Sequence, residues 1–162
     1  NTITMKNLIT VLFLTLGLAS IAQSDYIYEA TYLDTFKMGS ESKVLLVQEM
    51  HQHIISKDYE KVAEFLHDDI TFNLDDGSSM QGKETILSFL KEVYSKMDIL
   101  DYQVGVNLSV VGDNGDQWVL LWDNATVVSE TGEKSAFAWM EAFMFEGDKI
   151  IFMNQFSKPV KQ

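Results

Sequence analysis

The stretch YEKVAEFLHDDITFNLDDGSSMQGKETILSFLKEV, residues 59–93, decides the fold. From an N-terminal signal at Ser56-Lys57-Asp58, a helix places Tyr59, Val62, Phe65 and Leu66 on one side. Ile70, Phe72 and Leu74 then alternate with Thr71, Asn73 and Asp75, the period-two pattern of a strand with one buried face. Asp76-Gly77 turns the chain, Met80 returns it in a short strand, and Gly82-Lys83-Glu84 opens another helix. The apolar stripe of that helix is Ile86, Phe89, Leu90, Val93 and Met97.

Upstream, Ser40 is a candidate N-cap for a helix carrying Val47, Met50, His51 and Ile54 on one face. Downstream, from Leu100 to Val110 the period falls to two, with Leu100, Tyr102, Val104, Val106, Leu108 and Val110 in one row. Turn signals at Asn114-Gly115, Thr131-Gly132 and Gly147-Asp148 divide the remainder into strands near 117–129, 134–146 and 149–157. Pro159 is expected just beyond the last strand. Helices first and an antiparallel meander afterwards make the chain α+β.

Met5 and Lys6 precede an apolar run from Leu8 to Leu18 that gives way to Ser20-Ile21-Ala22, the three regions of a secretory signal peptide. The run is shorter than the ~20 residues of a membrane-spanning helix. Residues 1–22 are therefore expected to be a leader cleaved after Ala22, 23–37 an N-terminal arm, and 38–160 the folded domain, periplasmic or secreted and free of the membrane after cleavage. The chain has no cysteine, so a disulfide framework is excluded and the core alone must hold the fold. Its net charge is -12 and none of its cationic residues is arginine, which argues against nucleic acid as a partner.

With these elements in order, the run from Phe65 through Asp68-Asp69 and Phe72, then Asp76-Gly77, then Gly82 to Ile86, resembles the nuclear transport factor 2-like superfamily, which includes SnoaL-like cyclases and ketosteroid isomerase. Trp118 to Trp122 and the segment from Gly147 to Phe156 resemble the late strands of small exported members from bacteria of the Bacteroidetes type. The resemblance spans roughly Lys37 to Pro159. It implies a cone of three N-terminal helices packed on a strongly curved, mostly antiparallel sheet, frequent dimers, and one pocket put to unrelated uses. The position of the ketosteroid isomerase base falls at Leu74, which cannot take a proton; neighbouring Asp75 has solvent-side parity, so that mechanism finds no support.

Candidate chemistry is sparse. His51 and His53, two apart on a helix, diverge and do not form a helical zinc pair, so no metal site is expected. His51 reads as a pocket acid or base, or as a core histidine satisfied by one hydrogen bond. Glu141 shares parity with Trp139 and Phe143 and reads as a lone pocket acid, or as an outward residue at a sheet edge. Trp122, Trp139, Glu141, Phe143, Met153 and Gln155 are the expected walls of an apolar cavity. Asp123, of opposite parity to Trp122, reads as a bulge or surface residue. Asp75-Asp76-Gly77-Ser78 and Asp113-Asn114-Gly115-Asp116 read as turns rather than calcium loops. No phosphate-binding or dinucleotide motif occurs, and no cofactor is expected.

Strands 118–122 and 137–145 are apolar at both parities and need cover on both sides. The expected cover is a second copy, giving a homodimer through the sheet, with the N-terminal arm as its competitor. The leading expectation is an exported domain that binds a small apolar or amphipathic molecule. The alternatives are a cofactor-free isomerase, dehydratase, cyclase or hydrolase using Glu141 or His51, and a dimerising or partner-binding module.

Overall fold

The computed structural model describes residues 35–161, together with Ile27, Tyr28, Ala30 and Tyr32. The expected leader and its cleavage point lie outside the described residues. Strand β1 (Phe36–Met38) precedes helix α1 (Glu41–Ile55), whose N-cap is Ser40, its side chain accepting from the Ser42 N–H. A short α2 (Tyr59–Ala63) leads into β2 (Leu66–Asn73) and β3 (Ser79–Gln81), followed by α3 (Lys83–Ser95). The meander is β4 (Met97–Gly112), β5 (Gln117–Ser129), β6 (Lys134–Glu146) and β7 (Lys149–Val160).

All seven strands join one sheet in the order β1-β4-β5-β6-β7-β2-β3. Every pairing is antiparallel except β2 with β7. The hydrophobic core lies between the helices and one face of this sheet, with Val47, Met50 and Ile54 of α1 and Ile86 and Leu90 of α3 over Val119, Leu121, Phe143 and Met153. Among the described residues no helix is long and apolar enough to cross a membrane.

The curvature has a local origin in register breaks. β4 pairs Leu100 with Thr126 but Gln103 with Asn124, and Val104 with Asp123 but Val106 with Trp122, so it carries an extra residue at two places. Each such bulge bends the strand and reverses the parity of the residues beyond it. This corrects the single expected row: Leu100 and Val106 are exposed while Tyr102 and Val104 are half-buried. At the first bulge Asp101 has φ +52°, a left-handed conformation that aspartate tolerates better than most residues.

Other boundaries shift too. Phe65 and Leu66 lie beyond α2, because the Phe65 carbonyl accepts from the Ile150 N–H and Leu66 pairs with Ile150. The Asp68-Asp69 step then falls within a register break before pairing resumes at Thr71. β7 continues through Pro159 rather than ending before it. Proline is accommodated because β2 accompanies β7 only as far as Asn154, leaving the far edge of β7 unladdered there. Asp75 occupies that edge, accepting from both the backbone N–H and the hydroxyl of Ser157.

The two acidic loops are turns, as expected. Asp76 accepts from the Ser78 N–H at 2.8 Å and Asn114 from the Asp116 N–H at 3.0 Å.

Candidate functional site

The helix-facing, concave side of the sheet carries a buried polar cluster. α1 contributes His51, one turn after Val47 and on the same stripe as Met50 and Ile54. β6 contributes Glu141, and β5 contributes Asp123, which pairs across the ladder with Trp139, two residues before Glu141. Glu141 is 4% and Asp123 5% exposed. Carboxylates this deeply buried need partners to stay folded in place.

Those partners fix the protonation of the cluster. His51 Nδ1 lies 2.8 Å from the Val47 carbonyl, an acceptor only, so Nδ1 carries a hydrogen. Nε2 lies 2.8 Å from Glu141 Oε2. One hydrogen must sit between them: the pair is either imidazolium with carboxylate or neutral imidazole with carboxylic acid, and in both forms it holds a single shared proton. Gln155 Nε2 donates to the other Glu141 oxygen at 2.7 Å. Tyr102 stacks on the imidazole with centroids 5.8 Å apart, and Phe143 meets it edge-on at 5.7 Å.

Asp123 stands on the other side of the imidazole, Oδ2 4.0 Å from His51 Nε2. The Tyr102 hydroxyl donates to Oδ2 at 2.6 Å. Tyr102 reaches it because the bulge at Asp101 turns β4 there. Asp123 Oδ1 is buried and has no hydrogen-bond partner among the described residues.

Burial lowers the affinity of His51 for its proton, but the Glu141 charge and hydrogen bond, the Val47 carbonyl and Asp123 together outweigh it and push the imidazole up to about 9. Burial raises Asp123, the Glu141 charge raises it further, and Tyr102 and His51 offset part of this, leaving it at about 6. Burial and then the carboxylates raise both Tyr94 and Tyr102, so both phenols remain proton donors at neutral pH.

Two voids flank the cluster. One of about 80 Å³ lies between α1, α3 and the sheet, against Met50, Ile54, Phe89 and Leu90, with Met153 in its wall. The other, about 20 Å³, is lined by Ile99, Tyr102, Asp123 and Trp139. His51, Ile54, Tyr94, Glu141 and Gln155 line both.

Of the expected wall residues, Trp139, Glu141, Met153 and Gln155 meet at these voids. Phe143 is 1% exposed and packs in the core against His51 instead of lining either void. Trp122 does not join them. It pairs with Met140, which in turn pairs with Phe156, and these three line a groove on the convex face. Asp123 takes the inward position, opposite to expectation, because the hairpin loop has three residues rather than two. The Gly132 N–H donates to the Ser129 carbonyl, Gly132 has φ +82°, and Ser129 N–H closes the hairpin on the Glu133 carbonyl. The ladder therefore pairs Leu121 with Glu141 and puts the odd-numbered residues of β5 on the Glu141 side.

His53 lies apart from the cluster, near Asp58 and the Phe65 ring. The divergence of the two histidines overlooked the sheet carboxylates: donor atoms of His51, Asp123 and Glu141 all fall within 4.8 Å of one another. A divalent ion or a proton can bridge such a set, and the 2.8 Å Nε2–Oε2 separation is a hydrogen-bond length.

Residues 47–153, well over half of the chain, match the model of the SnoaL-like domain. The chain belongs to the SnoaL-like domain family. No curated protein matches the sequence. Similar solved structures of this SnoaL-like domain include an LEH-like epoxide hydrolase of M. tuberculosis (14% identity, TM-score 0.59, covering 72% of this chain and 82% of that one). A candidate polyketide cyclase of Xanthomonas campestris has 18% identity and a TM-score of 0.58, covering 70% and 87%. A candidate ketosteroid isomerase of Kribbella flavida has 12% identity and a TM-score of 0.59, covering 77% and 84%. At these identities the likeness is one of fold.

Proposed function

We propose that this SnoaL-like domain is a cofactor-free acid–base enzyme that moves protons on a small molecule by isomerisation, dehydration, cyclisation or hydrolysis. The observation that carries the reading is the one-proton His51–Glu141 pair set 4.0 Å from a buried carboxylate, Asp123, with a free oxygen. Two groups on either side of neutrality, held next to each other, are what general acid–base catalysis requires. Asp123 Oδ1 is the base: it takes a proton from a C–H or O–H of the substrate, or from water. His51 Nε2 is the acid, giving its hydrogen to the atom that gains electron density; Glu141 favours the charged imidazolium and so drives the bare Nε2 to take a proton back. Asp123 then releases its proton to water and Nε2 takes one from water, restoring the pair.

A domain that only bound an apolar molecule would gain nothing from burying two carboxylates and an imidazole, which costs several kcal/mol per ion before pairing. The reactions named for the solved relatives, epoxide hydrolysis and candidate cyclisation and isomerisation, accord with this reading. The test is turnover of a panel of small compounds followed by NMR, with the wild type beside Asp123→Asn and Glu141→Gln. Folded variants that lose about 10²-fold or more support the roles, whereas undiminished turnover in Asp123→Asn removes the base.

A second proposal concerns assembly. Val106, Trp122, Met140 and Phe156 form one apolar row across the convex face, with Met140 41% and Phe156 54% exposed. Tyr32 covers the other end of that face, edge-on to Trp118 with its hydroxyl on Asp116. We propose that a second copy covers the row, making a homodimer; sedimentation as a monomer at micromolar concentration would count against it. Export, proposed from the leader, is tested by the N-terminus of the mature protein, expected at Gln23.

A further inference from the structure

We infer that the site takes small, uncharged molecules of roughly five to eight non-hydrogen atoms, with a hydrogen-bond donor at one end and an aliphatic body behind it, and that it rejects carboxylates, phosphates and polycyclic compounds. This rests on the acid–base reading and narrows its substrate class.

Size comes first. The larger void measures about 80 Å³, and a water-sized sphere needs ~10–15 Å³ of such volume. Sites for drug-sized ligands run from about 300 Å³ upward. Its inner walls are packed: Met50, Phe72 and Leu90 are each at most 4% exposed, and α1 and α3 both pack directly on the sheet. A fused-ring body would have to part the helices.

Charge comes next. The groups lining both voids include two carboxylates and one imidazole, and no lysine. The imidazole is the cluster's single cationic group, and Glu141 already holds it. The buried lysine among the described residues, Lys43, is committed to Gly147 and Asp148 in the β6–β7 turn. An anion entering the site would therefore meet a net negative field, with no free donor of positive charge among the groups lining it.

Orientation is set by Asp123. It lines the smaller void, about 20 Å³, enough for one water-sized group. Its Oδ1 is buried and unpartnered, so the group placed there must donate. The apolar wall of Met50, Ile54, Phe89 and Leu90 belongs to the larger void, on the other side of His51 and Glu141. A single molecule whose hydroxyl reaches Asp123 and whose short alkyl chain points toward Leu90 must pass the wall that the two voids share, His51, Ile54, Tyr94, Glu141 and Gln155.

The test uses the folded protein and probes rather than a substrate. Methyl and indole resonances of Ile54, Leu90 and Trp139 are followed by NMR at pH 7 during titration with pentan-1-ol, pentanoate and a neutral sterol. Saturable shifts with pentan-1-ol, binding about tenfold or more weaker for pentanoate, and none for the sterol support the inference. Comparable binding of pentanoate, binding of the sterol, or no binding of the alcohol overturns it. Leu90→Phe, which fills the larger void, abolishes the alcohol shifts at Trp139 if the probe occupies that space; persistence of those shifts also overturns it. The underlying reading is separable: the ¹⁵N shifts of His51 report its protonation without any ligand, and a neutral imidazole facing an ionised Glu141 at pH 7 removes the acid–base pair whatever the probes do.

Discussion

Met140 and Glu141 are consecutive residues of β6, yet they face opposite environments. Glu141 points into the cone, 4% exposed, and shares a proton with His51; Met140 points away from it, 41% exposed, in a row with Trp122 and Phe156. The usual order of a globular domain, apolar within and charged without, is reversed at this step of the sheet. Each reversal costs stability, and each accords with a use proposed above: the inward carboxylate with chemistry, the outward methionine with a partner.

The inner face of the sheet carries the largest expected effects. Glu141→Leu strands the imidazole and is expected to cost about 3–5 kcal/mol in urea unfolding at pH 7. The double variant His51→Leu/Glu141→Leu should regain most of that loss, since an apolar pair of similar volume often replaces a buried ion pair without penalty. A double variant as unstable as the single one would show that the loss is one of packing, not of charge.

Next comes pH. His51 is raised from 6.5 to about 9 by its partners, so its contribution, of order 3 kcal/mol, is fully present below pH ~6.5 and lost as pH rises through about 9. Asp123 is also raised, from 3.8 to about 6, chiefly by burial; its protonated form favours the fold below pH ~4, and that contribution is lost as pH rises through about 6. Stability from these two groups should thus fall in two separate steps with rising pH, and Glu141→Leu should remove most of the alkaline step. Urea midpoints from pH 4 to 10 measure both.

Tyr102→Phe takes the donor from Asp123 Oδ2 and is expected to cost about 1.5–3 kcal/mol, the worth of a hydrogen bond to a charged group. It should also move the acid step to higher pH, because that bond favours the ionised carboxylate. The smallest effect on folding belongs to the outer face. Met140→Lys should change unfolding free energy by no more than about 0.5 kcal/mol, while turning a dimer into monomer by sedimentation; an intact dimer would place the contact elsewhere.

How far the sequence reveals this contrast depends on the kind of signal. The strands β5 and β6 are delimited to the residue by Asn114-Gly115, Thr131-Gly132 and Gly147-Asp148, because turns carry their own chemistry locally. The inward set Trp139, Glu141, Phe143, Met153 and Gln155 is legible from parity within single strands. Asp123 and Trp122 exchange places because the facing of β5 relative to β6 depends on loop length, and one residue inverts it. The signal was present: a three-residue hairpin loop ending in glycine is a common form. With Glu141 inward, it puts Asp123 inward as well. Tyr102 was less accessible, since its direction is set by a bulge that alternation alone conceals.

That bulge has a consequence for anyone altering this protein. Asp101 is exposed, and its side chain would pass any survey of important residues as expendable. Replacing it by glycine keeps the left-handed turn and should leave Tyr102 on Asp123. A β-branched residue there disfavours the left-handed backbone; straightened to unbroken alternation from Leu100, which faces outward opposite Thr126, β4 would carry the phenol to the opposite side of the sheet. The most damaging single substitution at this bulge is therefore a good strand-former, at an exposed position where such a residue would otherwise look harmless.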